Sequence, residues 1–455
     1  MKANPQERRV RNLKHSAQTA IFTAILILAA GRLSYAQDIR DGQGNAKATG
    51  SEGRSIEELN LVGAETSMPP FVESPIAIDS GFRQGMFRQG LALRGVAQEQ
   101  YSQNLLQAPV PADQQVYTGQ RAFAGAMSNW TLTWDLRQLR AQRAQLYVCG
   151  AWNWVSWNPA GPKTFQIYGA YLYKSFANDL VEVKAGYVGN NLEVIGLTVG
   201  GSTATGAQGV YAVLPYELGL SYFPMTAPSL NARMRGPRNT YLKAVAQRSL
   251  NAAGGPAEVA RNRTGFRFDP AGDKLLSFGE AGYQHTASNT VHDTWFRAGA
   301  MRNSTAYIDL ATGNKRSGNS SSFVLMDYQM RKPEPVHPEH GLYLGGTAMT
   351  ADSHFNPYDR YYEARLYQKA PFRSRPIDMA SVVASYTGHS KYFTDSLAAS
   401  GKTVWRNSAS VTGSYSLRVR SGQYLSAGLS YIHGAAISPR VKDPLTFATS
   451  YSVFF

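Results

Sequence analysis

The chain has 455 residues, 43% of them hydrophobic and 17% charged, with a mean hydropathy of −0.31 and a formal charge of +15. Every apolar run after Ala36 is broken within a few residues, which excludes a bundle of membrane-spanning helices; a soluble domain or a barrel of alternating strands fits the average equally well. The one cysteine, Cys149, excludes an internal disulfide, so stability has to come from a hydrogen-bonded sheet.

The chain opens with a basic stretch carrying Lys2, Arg8, Arg9, Arg11 and Lys14, followed by the apolar run Ala20 to Ala30 and by Ser34-Tyr35-Ala36. These are the three parts of a signal peptide spanning residues 1–36, and eleven apolar residues are too few to cross about 30 Å of hydrocarbon as a helix. The leader holds six of the basic residues and one acid, which leaves 40 basic against 30 acidic residues and a mature charge of +10. A basic balance suits nucleic acid, anionic lipid or an anion-attracting lumen, and export argues against nucleic acid as a partner.

Residues 37–84 differ in kind. Asp41 to Arg54 is polar and rich in glycine, Ser55 to Leu59 can start a short helix, and Pro69, Pro70 and Pro75 then break any regular element. This segment is predicted to be flexible, in the periplasm or dipping into a lumen. From residue 85 the chain alternates. Ser128 to Leu136 sets Trp130, Leu132 and Trp134 against Thr131, Thr133 and Asp135. Leu180 to Val188 sets Val181, Val183 and Ala185 against Glu182 and Lys184. Ser322 to Arg331 sets Val324, Met326, Tyr328 and Met330 against Asp327, Gln329 and Arg331, and Tyr362, Ala364 and Leu366 oppose Glu363 and Arg365. Charges at every second position are costly inside a sandwich core and natural where that face meets water.

Counting such segments predicts an all-β, transmembrane antiparallel β-barrel of sixteen strands over residues 85–455. Strands are expected to start near Met86, Gln120, Ala144, Lys163, Asp179, Leu230, Thr240, Lys274, His292, Ser321, Gly341, Tyr358, Ile377, Thr403, Gln423 and Leu445. Val210 to Phe223 could add a seventeenth, but Pro215 and Pro224 favour a loop or an inward fold. Gly236 to Asn239 and Arg420 to Gly422 are tight turns of one rim; Asn251 to Asp273 and Ala311 to Asn319 are expected to be long loops of the other. The last strand runs to the C-terminus, with Leu445, Phe447, Thr449, Tyr451, Val453 and Phe455 on one face and no charge. Such an edge aggregates unless the barrel closes on it. Tyr451 and Phe455 are therefore expected to be the signal read by the barrel assembly machinery.

Thr226 to Arg233 with Asn239 to Ala244, then Asn262 to Phe268 and Ser277 to Gln284, resemble in order the blocks of the carbohydrate-selective porins, the OprB-like family of bacterial outer membranes. The resemblance covers about Thr118 to Phe455, with Val188 to Phe223 unlike the usual loop. It implies passive diffusion of small sugars through a sixteen-stranded pore narrowed by inward loops and charged side chains. The implied partners are sugars and outer-membrane lipid, with the chain monomeric or homotrimeric. Candidate lining residues are Arg233, Lys243, Arg267, Glu280, Arg297, Asp327, Glu363 and Arg365. Arg233, Arg267 and Glu280 come from the family-like blocks, the others from alternation.

No cofactor or metal is expected: His337-Pro338-Glu339-His340 reads as a loop with no helix to align it, and Gly196 to Thr203 lacks the lysine of a phosphate loop. The alternatives to a channel are a barrel enzyme, a protease or acyl hydrolase, and a structural barrel with no through-path. Neither is favoured by a Ser-His-Asp spacing.

Overall fold

A computed structural model describes residues 56–59, 74–75, 81–194, 214–332 and 335–455; the leader, most of the flexible segment and residues 195–213 lie outside them. Where alternation is regular the backbone is extended. The strands are β1 Leu91–Asn104, β2 Phe123–Asp135, β3 Ala144–Val155, β4 Thr164–Phe176, β5 Val181–Val188, β6 Ala227–Arg235, β7 Thr240–Arg248 and β8 Leu275–His285. They continue as β9 Thr294–Ile308, β10 Lys315–Arg331, β11 Gly341–Ala351, β12 Tyr358–Lys369, β13 Met379–His389, β14 Asn407–Arg420, β15 Gln423–His433 and β16 Leu445–Phe454. Each pairs antiparallel with its neighbours in sequence, and β16 pairs with β1 to close the barrel.

Closure consumes both edges. Val96 to Asn104 pair with Phe454 to Thr446, and below them the Gly95 N–H donates to Phe455 O at 2.7 Å while the Phe455 N–H donates to Gly95 O at 2.9 Å. A side chain at position 95 would run into the Phe455 ring, so this glycine makes room for the terminal aromatic on the outer face. Tyr451 lies on the same face, paired with Glu99 and Leu425.

The alternation divides the faces as the sequence predicts. Trp130 and Leu132 are exposed on the outer wall while Thr131, Thr133 and Asp135 are buried on the inner one; Val324 and Leu366 are exposed opposite buried Gln329 and Arg365. Met326 sits outward between Phe296 and Gly346. Met326→Arg should therefore cost about 2–4 kcal/mol if it lies near the midplane, read as a shift of the urea midpoint for unfolding from lipid vesicles.

Three boundaries differ most from the sequence reading, while β2, β6 and β14 start within four residues of the expected Gln120, Leu230 and Thr403. The first strand starts at Leu91 rather than near Met86, because Gly81–Arg88 is helical; Phe87 packs with Leu59 and Ala92, and Gly90 in the left-handed region turns the chain into the wall. The expected limit between flexible segment and barrel at residue 84 thus falls inside this helix. The loop expected over 311–319 is a tight turn over 309–314, and β10 begins at Lys315. Asp309 organises that turn: Oδ1 accepts from the Ala311 N–H at 2.8 Å, and the carboxylate meets Arg316 and His354. Burial opposes ionisation of Asp309, but the hydrogen bonds from Arg316 and His354 prevail and hold the carboxyl well below its ordinary range.

Inside the barrel, the described parts of the connection between β5 and β6, residues 189–194 and 214–226, fold inward. Val194, Leu214, Leu218 and Leu220 pack against Val245, Leu276, Phe278, Met301, Phe323, Leu325, Met349 and Tyr361, which project from the inner faces of β7 to β12. The expected inward fold around Pro215 is a short helix, Leu214–Glu217, seated on this apolar patch.

Candidate functional site in the barrel lumen

The inward segment is fixed to the wall by buried polar side chains. Asn190 Nδ2 donates to Gln247 Oε1 at 2.7 Å, Asn231 Nδ2 donates to Asn190 Oδ1 at 2.7 Å, and Gln247 Nε2 donates to Gly219 O at 3.1 Å. Asn303, wholly buried on β9, donates to Leu218 O and to Ser249 Oγ. These amides satisfy the main chain of a loop that has left the rim, which a lumen has to supply because the loop cannot reach bulk water.

Below the inward segment a charged band runs round the wall from β5 to β12. Lys184 Nζ is 2.6 Å from Glu193 Oε1, and Lys243 Nζ donates to Glu193 O at 2.7 Å. Lys243 pairs in register with Arg233 on β6 and Glu280 on β8. Tyr241 OH donates to Glu280 Oε1 at 2.8 Å and accepts from Trp295 Nε1 at 3.0 Å. The Arg233 guanidinium stands 4.4 Å from the Tyr241 ring centre, and Arg297 stands 3.9 Å from that of Trp295. Cations held over aromatic faces keep their donors in the plane of the guanidinium for neighbouring acceptors, and Arg233 Nη2 donates to Gln284 Oε1 at 3.1 Å. Arg233 Nε and Glu280 Oε2 make no hydrogen bond to protein.

The band continues across β10 to β12, where Trp295 is in register with Asp327. Arg365 is fully buried; its Nη2 lies 2.8 Å from Asp327 Oδ2, its Nη1 2.8 Å from Glu363 Oε1, and Nη1 also donates to Thr347 Oγ1 at 2.7 Å. The guanidinium crosses over Gly345, where any side chain would collide with it. Two carboxylates around one guanidinium form a closed charge set with a net charge of −1.

The opposite wall has another chemistry. The inner faces of β13 to β16 carry serine and threonine at most positions, cross-linked as Ser381 with Ser414 at 2.7 Å, Ser385 with Ser410 at 2.8 Å and Ser426 with Ser416 at 3.0 Å. Towards the rim away from the chain end this wall opens into a cavity of about 660 Å³. Gln98, Gln100, Tyr117, Trp157, His389 and Phe393 are among its lining residues, and none of the lining residues is an acid, lysine or arginine.

Of the residues predicted from sequence, Arg233, Lys243, Glu280 and Arg297 come together in the first half of the band, and Asp327, Glu363 and Arg365 in the second. Arg267 does not join them. It is exposed on the loop between β7 and β8, where its Nη1 donates to Arg261 O and its N–H to Asn262 Oδ1. That loop lies along the free upper part of β4, with the Ile167 N–H donating to Thr264 O and Tyr187 OH to Phe266 O, and patches the wall where β5 ends early. Alternation also missed Tyr241, Trp295 and Glu193. The first two sit two residues from Lys243 and Arg297 on the same inner faces, a spacing that could have found them; Glu193 is on the inward segment, which carries no periodicity.

A family model described as the carbohydrate-selective porin, OprB family, matches residues 93–453. Among solved structures, the high-pH structure of Pseudomonas putida OprB superposes with a TM-score of 0.68 at 14% identity, covering 82% of this chain and 96% of that one. The low-pH structure of the same protein gives 0.54 at 13% identity, covering 84% and 98%. At such identities the likeness is one of fold. Among curated proteins no sequence match is found.

Proposed function

Because the chain belongs to the OprB family of carbohydrate-selective porins of the outer membrane, we propose that sugars pass from the uncharged cavity near the extracellular rim, over the hydroxyl wall, to the charged band beneath the inward segment. The family and the fold are those of a channel rather than of an enzyme. The observation that carries the path is the division of the lumen into an aromatic and amide mouth, a wall of hydroxyls and a band of cations held over aromatic rings. A sugar presents hydroxyls on its edge and C–H groups on its ring faces, so rings such as Tyr117 and Trp157 can take its faces while Ser, Thr and Gln exchange its water hydrogen bonds at little net cost. Weak, repeated contacts let the solute leave as readily as it arrives.

In this reading Arg233 is the exchange point of the band, since it is only partly buried while Lys243, Glu280 and Arg297 beside it are buried. Arg233→Ala should weaken sugar block of the single-channel current roughly tenfold, the value of about one charged hydrogen bond, and lower anion selectivity. Arg267→Ala, on the outer loop, should leave sugar block unchanged. Equal block in Arg233→Ala and the unaltered chain would remove Arg233 from the path. We further propose that Phe455, seated on Gly95 in the closing seam, is the residue the assembly machinery reads.

A further inference from the structure

The turn between β10 and β11 brings two imidazoles and a carboxylate to one point, on the rim that also carries the chain end. Its main chain is held from both sides. Gln329, fully buried on β10, donates through Nε2 to Pro338 O at 2.6 Å and to His340 O at 2.8 Å. Tyr343 on β11 donates to Glu339 O at 2.5 Å, and the His340 N–H donates to His337 O at 3.1 Å. On this frame Glu339 Oε1 lies 3.5 Å from His337 Nδ1 and 3.3 Å from His340 Nε2, and the three ligating atoms fall within 4.8 Å of one another.

The two imidazole–carboxylate separations are close to those a metal ion imposes. Ligands bound tetrahedrally at about 2.0–2.1 Å stand roughly 3.3–3.4 Å apart. Hydrogen bonding alone gives a weaker reason for the arrangement, because both imidazoles lie just beyond a good N–H···O distance from the same carboxylate oxygen. The two rings are stacked at 4.6 Å and 18°. Glu339 and His340 are already largely buried in place, and His337 is the more exposed of the three.

We propose that His337, Glu339 and His340 form a binding site for a late first-row divalent cation, Zn²⁺ foremost. Two imidazoles and one carboxylate are borderline donors that favour Zn²⁺, Cu²⁺ or Ni²⁺ over Ca²⁺ or Mg²⁺, and they leave a fourth position to water. The ion would staple the turn that joins β10 to β11, beside the strands that carry Asp327 and Thr347. The site is separate from the sugar path and does not depend on it.

The test uses the untagged mature chain folded in detergent, titrated with Zn²⁺ against a chromogenic chelator, because an affinity tag of histidines would mask the result. One Zn²⁺ per chain is expected. His337→Ala and His340→Ala should each weaken binding at least tenfold, and the double variant should abolish it with unchanged heat-modifiability and bilayer conductance. Wild-type protein loaded with Cu²⁺ should show two-nitrogen coupling by electron paramagnetic resonance, which keeps the proposal testable if the double variant fails to fold. Absence of stoichiometric binding, a Cu²⁺ spectrum without two nitrogens, or binding that survives undiminished in the double variant would overturn the site.

Discussion

Arg365→Leu should destabilise the barrel by about 3–5 kcal/mol, the cost of removing one partner from a buried charge set. Arg365 has no solvent exposure, and it is the group that neutralises Asp327 and Glu363. With leucine in its place two carboxylates remain on one inner face, and Tyr367 OH, which donates to Asp327 Oδ1 at 3.1 Å, is the nearest remaining donor to that group. The expected readout is a lower temperature for loss of the folded, fast-migrating form in detergent gels. The triple variant Asp327→Asn, Glu363→Gln, Arg365→Leu should recover most of the loss, because no uncompensated charge remains. A single variant as stable as the unaltered chain would mean that water reaches this cluster freely.

Leu218→Asp should release the inward segment and raise single-channel conductance severalfold. Leu218 is fully buried in the patch formed with Val245, Leu276, Phe278 and Phe323, and an unpaired carboxylate there is far more costly than one in water. The barrel itself should persist, since every strand keeps both hydrogen-bonded neighbours. In liposome swelling, trisaccharides should then enter faster than through the unaltered chain. The control is Leu106→Asp on the exposed loop after β1, which should alter neither conductance nor size dependence. Unchanged conductance in Leu218→Asp would mean that the segment does not narrow the pore.

The wall was legible because lipid outside and water inside impose a period of two on every strand. Sixteen segments and nearly all their starts follow from that one rule. It fails where a second physical demand enters. Phe323-Val324-Leu325-Met326 is apolar on both faces, since the inner positions seat the inward segment; read as a run rather than as alternation, it would have marked that seat. Met86 lies in a helix for a related reason, because Phe87 and Leu59 cluster at the base of β1 before the wall begins. Arg267 was assigned to the lumen from a family-like block, yet the loop that carries it patches the wall above β5, a long-range contact that no local spacing encodes. Within the charged band the ion pairs were foreseeable as charges on one face. Their aromatic partners Tyr241 and Trp295 lie two residues from Lys243 and Arg297 on the same inner faces, a spacing that a search confined to charged residues passes over.

The central claim is that this lumen passes neutral sugars by contact with its walls. Its most direct measurement is the current through single copies of the mature chain in a planar bilayer while mono-, di- and trisaccharides are added at rising salt. An anion-preferring current that each sugar reduces saturably is predicted, with the preference weakening as screening shortens towards about 8 Å at physiological ionic strength and the sugar block persisting. A current indifferent to sugar at every concentration, or one in which block vanishes with salt alongside the ion preference, would contradict it.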